Sequence, residues 1–242
     1  MAGDVEKAFG GPRGDEMCAT SLGFHDLIAP MTEAEFSELR SSRAIALRRR
    51  TSGDRIGESL DWDVLRSLVG SSIIPATKWR LTYGGRDVPR LLYSENGRPD
   101  AARLAQLCEQ GGSLIVLALQ EYVPAFGAVC RDAAERGLRV INVDAIATSG
   151  RGGALGLHFD PEDNIVRQLE GSKRWRIFGP PAAIPAGDDP APSPPQNEPL
   201  FDEALQPGDF LFVPAGYWHQ CENGSDRSLH VGFLFDPPAA AN

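Results

Sequence analysis

A mainly β domain, a barrel or sandwich with α-helices flanking it on the N-terminal side, is what this sequence predicts. From Leu138 onward, short apolar segments are separated by Gly and Pro punctuation, the pattern of packed strands. Residues 32–136 instead carry helical spacings with start and stop signals. The chain has 242 residues, 42% of them hydrophobic, enough for one substantial core without division.

Taken in order, residues 1–20 are Gly-rich and charged and predict a disordered tail. Thr32-Glu33-Ala34-Glu35 is a capping box that opens a helix through Phe36 and Leu39. Ala44 to Arg48 reads as a strand. Trp62, Leu65, Leu68 and Val69 give Asp61 to Val69 a helical face. Trp79 to Tyr83 alternates as a strand does. Asp100 to Gln110 is a helix stopped by Gly111-Gly112. Ser113 to Leu119 is a continuous apolar run, hence a buried strand, and Val123 to Arg136 is a helix ended by Gly137. Strands then follow over Val140–Ala147, Leu157–Leu169, Lys173–Phe178, Asp209–Pro214, His219–Cys221 and Ser228–Phe235. Eight prolines lie between Pro180 and Pro199. That segment, 180–199, is a surface loop rather than a linker, because candidate site residues fall on both sides of it. A single domain over 21–238 is therefore expected.

The net charge of −9 and pI near 5.0 argue against a nucleic-acid or anionic-membrane partner. No apolar N-terminal run resembles a signal peptide, and no segment reaches membrane-spanning length. Cys18, Cys108, Cys130 and Cys221 form no C-x-x-C pair, so a reduced cytoplasm is expected. Only three of the 24 Lys and Arg residues are lysine (Lys7, Lys78, Lys173), which with abundant Ala, Gly and Pro suggests a GC-rich bacterial genome.

The chemistry concentrates in His158-Phe159-Asp160 and, further on, His219 within the Pro207-to-His219 segment. Two imidazoles and one carboxylate are the ligand set of a non-haem Fe(II) oxygenase. On a strand, His158 and Asp160 share a face, roughly 7 Å apart, and His219 from a distant strand closes the third corner. Three other readings compete. The histidines could be structural. A three-histidine, one-glutamate site wants His at position 160. Structural zinc prefers four closed ligands.

Lys173 is the second clue. Lys173, Trp175 and Ile177 share one face of a strand after the turn Glu170-Gly171-Ser172. A lysine among inward apolar residues costs several kcal/mol unless an anion meets it. A dicarboxylate cosubstrate would supply that anion; a cross-strand protein acid is the plainer alternative. Asn164 shares the parity of His158 and Asp160 if the strand is unbroken. Thr148 and Asn142 are polar candidates on the preceding strand, and Gly150–Gly153 suggests a lip. His25 reads as structural or solvated, and His230 as a hydrogen-bonded core histidine, with a place on the cavity wall as the alternative.

The segment from Leu157-His158-Phe159-Asp160 to Gln168-Leu169-Glu170-Gly171-Ser172-Lys173-Arg174-Trp175 resembles the core of JmjC-type 2-oxoglutarate oxygenases, most of all the cupin-like ribosomal oxygenase branch. Residues 20–236 share that likeness. The resemblance implies a double-stranded β-helix (jelly-roll, cupin/JmjC) with flanking N-terminal α-helices. It also implies Fe(II) held by His158, Asp160 and His219, with 2-oxoglutarate and O2 as cosubstrates. Lys173 matches the lysine for the distal carboxylate, Thr148 the branch's threonine, and Asn164 an asparagine of a related asparaginyl hydroxylase. Ile146 stands where the branch often has tyrosine. The implied activity is hydroxylation of a side-chain carbon, such as C3 of His or Arg, in a peptide or protein. The branch continues into a helical dimerisation region and a winged helix, whereas this sequence ends seven residues after Phe235. The expectation is therefore a compact enzyme acting on a precursor peptide in bacterial natural-product biosynthesis. A homodimeric ribosomal-protein hydroxylase, a demethylase and a non-catalytic metal-binding cupin are the alternatives.

Overall fold

The computed structural model describes residues 22–49, 54–71, 73–96, 98–150, 155–182 and 192–238. The expected tail at 1–20, residues 151–153 of the glycine lip and 183–191 of the proline-rich loop lie outside the described residues. Helix α1 (Phe24–Ile28) is followed by α2 (Glu33–Ser42), strand β1 (Ala46–Arg48), α3 (Trp62–Gly70), β2 (Trp79–Tyr83) and β3 (Arg86–Asp87). A small ribbon of β4 (Ser94–Glu95) and β5 (Arg98–Pro99) precedes α4 (Ala101–Glu109), β6 (Ser113–Val116) and α5 (Pro124–Glu135). The remaining strands are β7 (Val140–Ser149), β8 (Asp163–Glu170), β9 (Lys173–Ile177), β10 (Phe201–Leu205), β11 (Phe210–Val213), β12 (His219–Asn223) and β13 (Arg227–Phe235).

Local chemistry sets the helix ends. Thr32 caps α2 through its side chain, and the Glu35 carboxylate reaches back to the Thr32 N–H at 2.7 Å. Asp61 and Asp100 cap α3 and α4 in the same way. Pro124 occupies the first turn of α5, where its missing N–H costs nothing.

The strands form an antiparallel eight-stranded sheet ordered β1-β11-β8-β13-β7-β6-β2-β3, and a three-stranded sheet ordered β10-β9-β12. Strand alternation divides each central strand between two environments. Val143, Ala145 and Ala147 of β7, with Val231, Phe233 and Phe235 of β13, join Phe24, Phe36 and Phe126 in the core under the helices. Phe24 and Phe36 meet edge-to-face at 5.5 Å, and Phe126 meets Phe233 at 5.4 Å. Each such ring, buried whole, stabilises the fold by about 1.5–3 kcal/mol. The opposite face packs Val166, Leu211 and Val213 against Trp175 and Ile177 of the smaller sheet. Between the two sheets this second face also opens into the main cavity. The fold is thus the mainly β jelly-roll with N-terminal helices that the sequence predicts.

Two local expectations need correction, and two elements were not anticipated. Leu157–Leu169 is not one strand: His158 forms an isolated bridge with His219, residues 161–162 bend, and the ladder starts at Asp163. Pro161 has no N–H to give a ladder, and the Asp160 carbonyl is taken by the Gly216 N–H at 2.7 Å. The run from Ser113 stops at Val116, because the Ala118 N–H is captured by the Asn142 side chain at 2.9 Å and Ala118 turns to φ 59°. Strand β10 and helix α1 carried no usable signal. Three of the five β10 residues are exposed, and α1 is five residues long.

Candidate metal and cosubstrate site

The three donors predicted from sequence converge. His158 and His219 lie opposite one another, each backbone N–H bonded to the other's carbonyl at 3.1 and 2.7 Å. Their rings are 4.3 Å apart. His158 Nδ1 lies 2.7 Å from the Gly156 carbonyl and His219 Nδ1 lies 3.0 Å from that of Tyr217. A carbonyl only accepts, so each Nδ1 carries its proton and each Nε2 lone pair is left free. Both Nε2 atoms face Asp160, at 4.0 Å from Oδ1 for His158 and 3.6 Å from Oδ2 for His219. All three donor atoms lie within 4.8 Å of one another. Burial, aided by the neighbouring His158, pushes the His219 imidazole down to about 4, so it is neutral and able to ligate at physiological pH. Two oriented imidazoles and one carboxylate suit a divalent transition metal with open positions.

The backbone around the triad is pinned from the N-terminal half. Asp163 accepts the Ala215 N–H at 3.0 Å and pairs with Arg40 of α2 at 2.9 Å. Just past α2, Arg43 donates to the Ala215 carbonyl, and its own carbonyl accepts the Tyr217 hydroxyl at 3.0 Å. The segment before His158 is held by the β2–β3 turn. Gly85, at φ 76°, approaches so closely that a Cβ there would sit 2.9 Å from the Gly156 N.

The triad opens onto a cavity of about 300 Å³. Asn142, Asp144 and Ile146 of β7 line it, as do Asn164, Trp175 and His230. Asn164 therefore reaches the cavity despite the break in its strand, and its Oδ1 is buried without a hydrogen-bond partner. Lys173 is fully buried and no described carboxylate pairs with it. Its ammonium donates to Thr148 Oγ1 at 3.3 Å and to His230 Nδ1 at 3.2 Å. Burial pushes its pKa down. The turn that delivers it depends on Gly171, at φ 59°, where a Cβ would fall 1.9 Å from the Arg227 carbonyl oxygen.

His230, expected to be a core histidine, is buried and also lines the cavity. Sequence reading missed Asp144, Glu162 and Arg80. Asp144 shares the parity of Asn142 and Thr148 on β7, so the signal was present. Burial raises its carboxyl to about 7; the Ala118 N–H opposes this, Asp160 and Glu162 add repulsion, and Arg80 pulls more weakly. Glu162 is likewise raised by burial. His25 lies on α1, away from the cavity, 3.4 Å from Asp26. No described helix is long and apolar enough to cross a membrane.

Comparison with known proteins places this geometry. Residues 128–242, which contain all three donors, match the JmjC domain family. The chain is 32% identical over 139 residues to the bifunctional lysine-specific demethylase and histidyl-hydroxylase NO66 of Drosophila willistoni, covering 55% of this chain and 18% of that protein. It is 37% identical over 82 residues to human ribosomal oxygenase 1, covering 31% and 12%. Among solved structures, Escherichia coli YcfD superimposes with a TM-score of 0.62 at 23% identity, covering 87% of this chain and 54% of that one. The same ribosomal oxygenase in complex with cobalt and 2-oxoglutarate gives 0.61 at 22% identity, covering 87% and 53%. The chain spans between 18% and 30% of the length of the first three curated relatives it matches. The C-terminal part of the chain, residues 128–242, is therefore similar to JmjC domains, and the fold is that of the ribosomal oxygenase structures.

Proposed function

We propose that this protein is an Fe(II)- and 2-oxoglutarate-dependent oxygenase that hydroxylates a side-chain carbon of a peptide or protein. The observation that carries this reading is the nearness of two features, one at the cavity and one just behind its wall. One is the set of two Nε2 lone pairs and a carboxylate within 4.8 Å of one another; the other is the buried Lys173, which no described carboxylate neutralises. A site that only bound a metal would need no buried ammonium, and a buried ammonium asks for an anion. His158, Asp160 and His219 would hold the iron; Lys173 and Thr148 would hold the distal carboxylate of 2-oxoglutarate. With both cosubstrates bound, the centre supplies C–H hydroxylation coupled to conversion of 2-oxoglutarate and O2 into succinate and CO2.

The protein's own residues then position and select. Asp144 and Glu162 face the cavity, and the nearby Arg80 is already paired to Asp87 at 3.0 Å. This uncompensated acidity, with Asn164 beside it, favours a cationic or hydrogen-bond-donating side chain, arginine or histidine. The same charge logic suits a basic segment of a ribosomal protein or of a biosynthetic precursor peptide.

The test is spectroscopic. Under anaerobic conditions, Fe(II) and 2-oxoglutarate added together should give a visible charge-transfer band that neither gives alone. Asp160→Ala should lose the band, and Lys173→Ala should require far more 2-oxoglutarate to reach it. Metal binding without any such band would replace this reading with a non-catalytic cupin.

A further inference from the structure

Lys173 and the cavity are neighbours that do not touch. Trp175, Cys221, Ile146 and His230 line the 300 Å³ space in front of the triad, whereas Lys173 is 0% exposed and is not among its walls. The ring of His230 stands between them. It accepts from the ammonium at 3.2 Å, lies across the strand pair from Ile146, and meets Trp175 edge-on at 5.3 Å. Trp175 in turn stacks on His219 at 5.6 Å. The wall from the triad to Lys173 is therefore a continuous run of three rings, His219, Trp175 and His230.

The bond to Lys173 also fixes the state of His230. An ammonium can only donate, so Nδ1 is the acceptor and the ring is neutral with its proton on Nε2. The second acceptor, Thr148 Oγ1, is already shared with Ser113 Oγ at 2.8 Å. Lys173 is thus served by two neutral oxygen and nitrogen acceptors, each weaker than a charged one. A carboxylate forms a hydrogen bond roughly twice as strong as such a neutral partner.

We propose that His230 is a specificity-determining gate between the cavity and Lys173, displaced from the ammonium only by a ligand whose second carboxylate reaches it. This rests on the oxygenase reading above. The ring acts as a placeholder: it satisfies the lysine weakly, and it blocks acids whose length or charge cannot replace it. Removing the ring opens the path and lengthens the room between triad and lysine, so selection by length declines.

The experiment is calorimetric titration of the Co(II)-loaded protein with oxaloacetate, 2-oxoglutarate and 2-oxoadipate, which differ by one methylene each. The wild type should prefer 2-oxoglutarate. His230→Ala should narrow its preference over 2-oxoadipate by about tenfold, mainly through tighter binding of the longer acid. In parallel, the ring nitrogens of His230 in the wild type, loaded with Zn(II), should shift on saturation with 2-oxoglutarate as Nδ1 loses its donor. That second reading decides the matter should His230→Ala fail to fold. A preference unchanged within about twofold, or ring resonances that stay put at saturation, would overturn the gate. A wild type that binds none of the three acids would sink the oxygenase reading itself, and the gate with it.

Discussion

Two backbone carbonyls, those of Gly156 and Tyr217, decide which nitrogen of each histidine is available, so the donor set is oriented before any metal arrives. Replacing a donor is consequently more damaging than replacing a neighbour. Asp160→Ala should weaken Co(II) binding by on the order of 100-fold or more in calorimetry, since even residues that merely orient ligands cost about 10–100-fold. Asp144 yields a pH prediction. Its carboxyl is raised from 3.8 to about 7, so the native metal-free state binds that proton more tightly than the unfolded chain. Stability is lost as pH rises through the window from 3.8 to about 7, by at most roughly 1.4 kcal/mol per unit. Asp144→Asn carries no such proton. Its Tm relative to wild type should climb across that window and level off above it; a constant difference from pH 4 to 8 would contradict the assignment. The convergence of His158, Asp160 and His219 was legible because residue type and spacing specify it together. Asp144 shares the face of Asn142 and Thr148, but parity alone does not show whether that face meets solvent or a cavity.

At the scale of elements, the β2–β3 turn is the least conspicuous part of the site. Gly84 and Gly85 both take positive φ, yet only Gly85 has a neighbour, Gly156, within contact of an added Cβ. Gly84→Ala should lose only the conformational term, about 1–2 kcal/mol. Gly85→Ala should lower Tm by several degrees more and also weaken Co(II) binding, because it displaces the carbonyl that orients His158. Equal metal affinity in the two variants would show that the turn does not position the ligand. Elements with strong periodicity or capping, such as α2, α3, α4 and β2, could be read almost to the residue. Those whose limits depend on distant partners could not. The Asn142 side chain ends β6, and the Gly216 N–H engages the Asp160 carbonyl ahead of β8. Neither contact is visible from local spacing.

Across the whole molecule, the jelly-roll was legible from strand punctuation together with the motif's resemblance, whereas the role of the N-terminal helices was not. They read only as helices flanking the β domain. In the structure, Arg40 of α2 also neutralises Asp163, a 2% exposed carboxylate that holds the turn leading to His219. Arg40→Ala leaves that carboxylate buried and unpaired, a loss of about 3–5 kcal/mol that chemical denaturation would register. The same connection runs in reverse. Since Asp163 belongs at once to the helix contact and to the turn leading to His219, metal binding at the triad should be linked to order in α2, and linkage is reciprocal. Amide hydrogens of Glu33–Ser42 should exchange with solvent more slowly once Co(II) is added, and a chelator should restore the faster exchange. The helix would then report on the metal without being able to touch it.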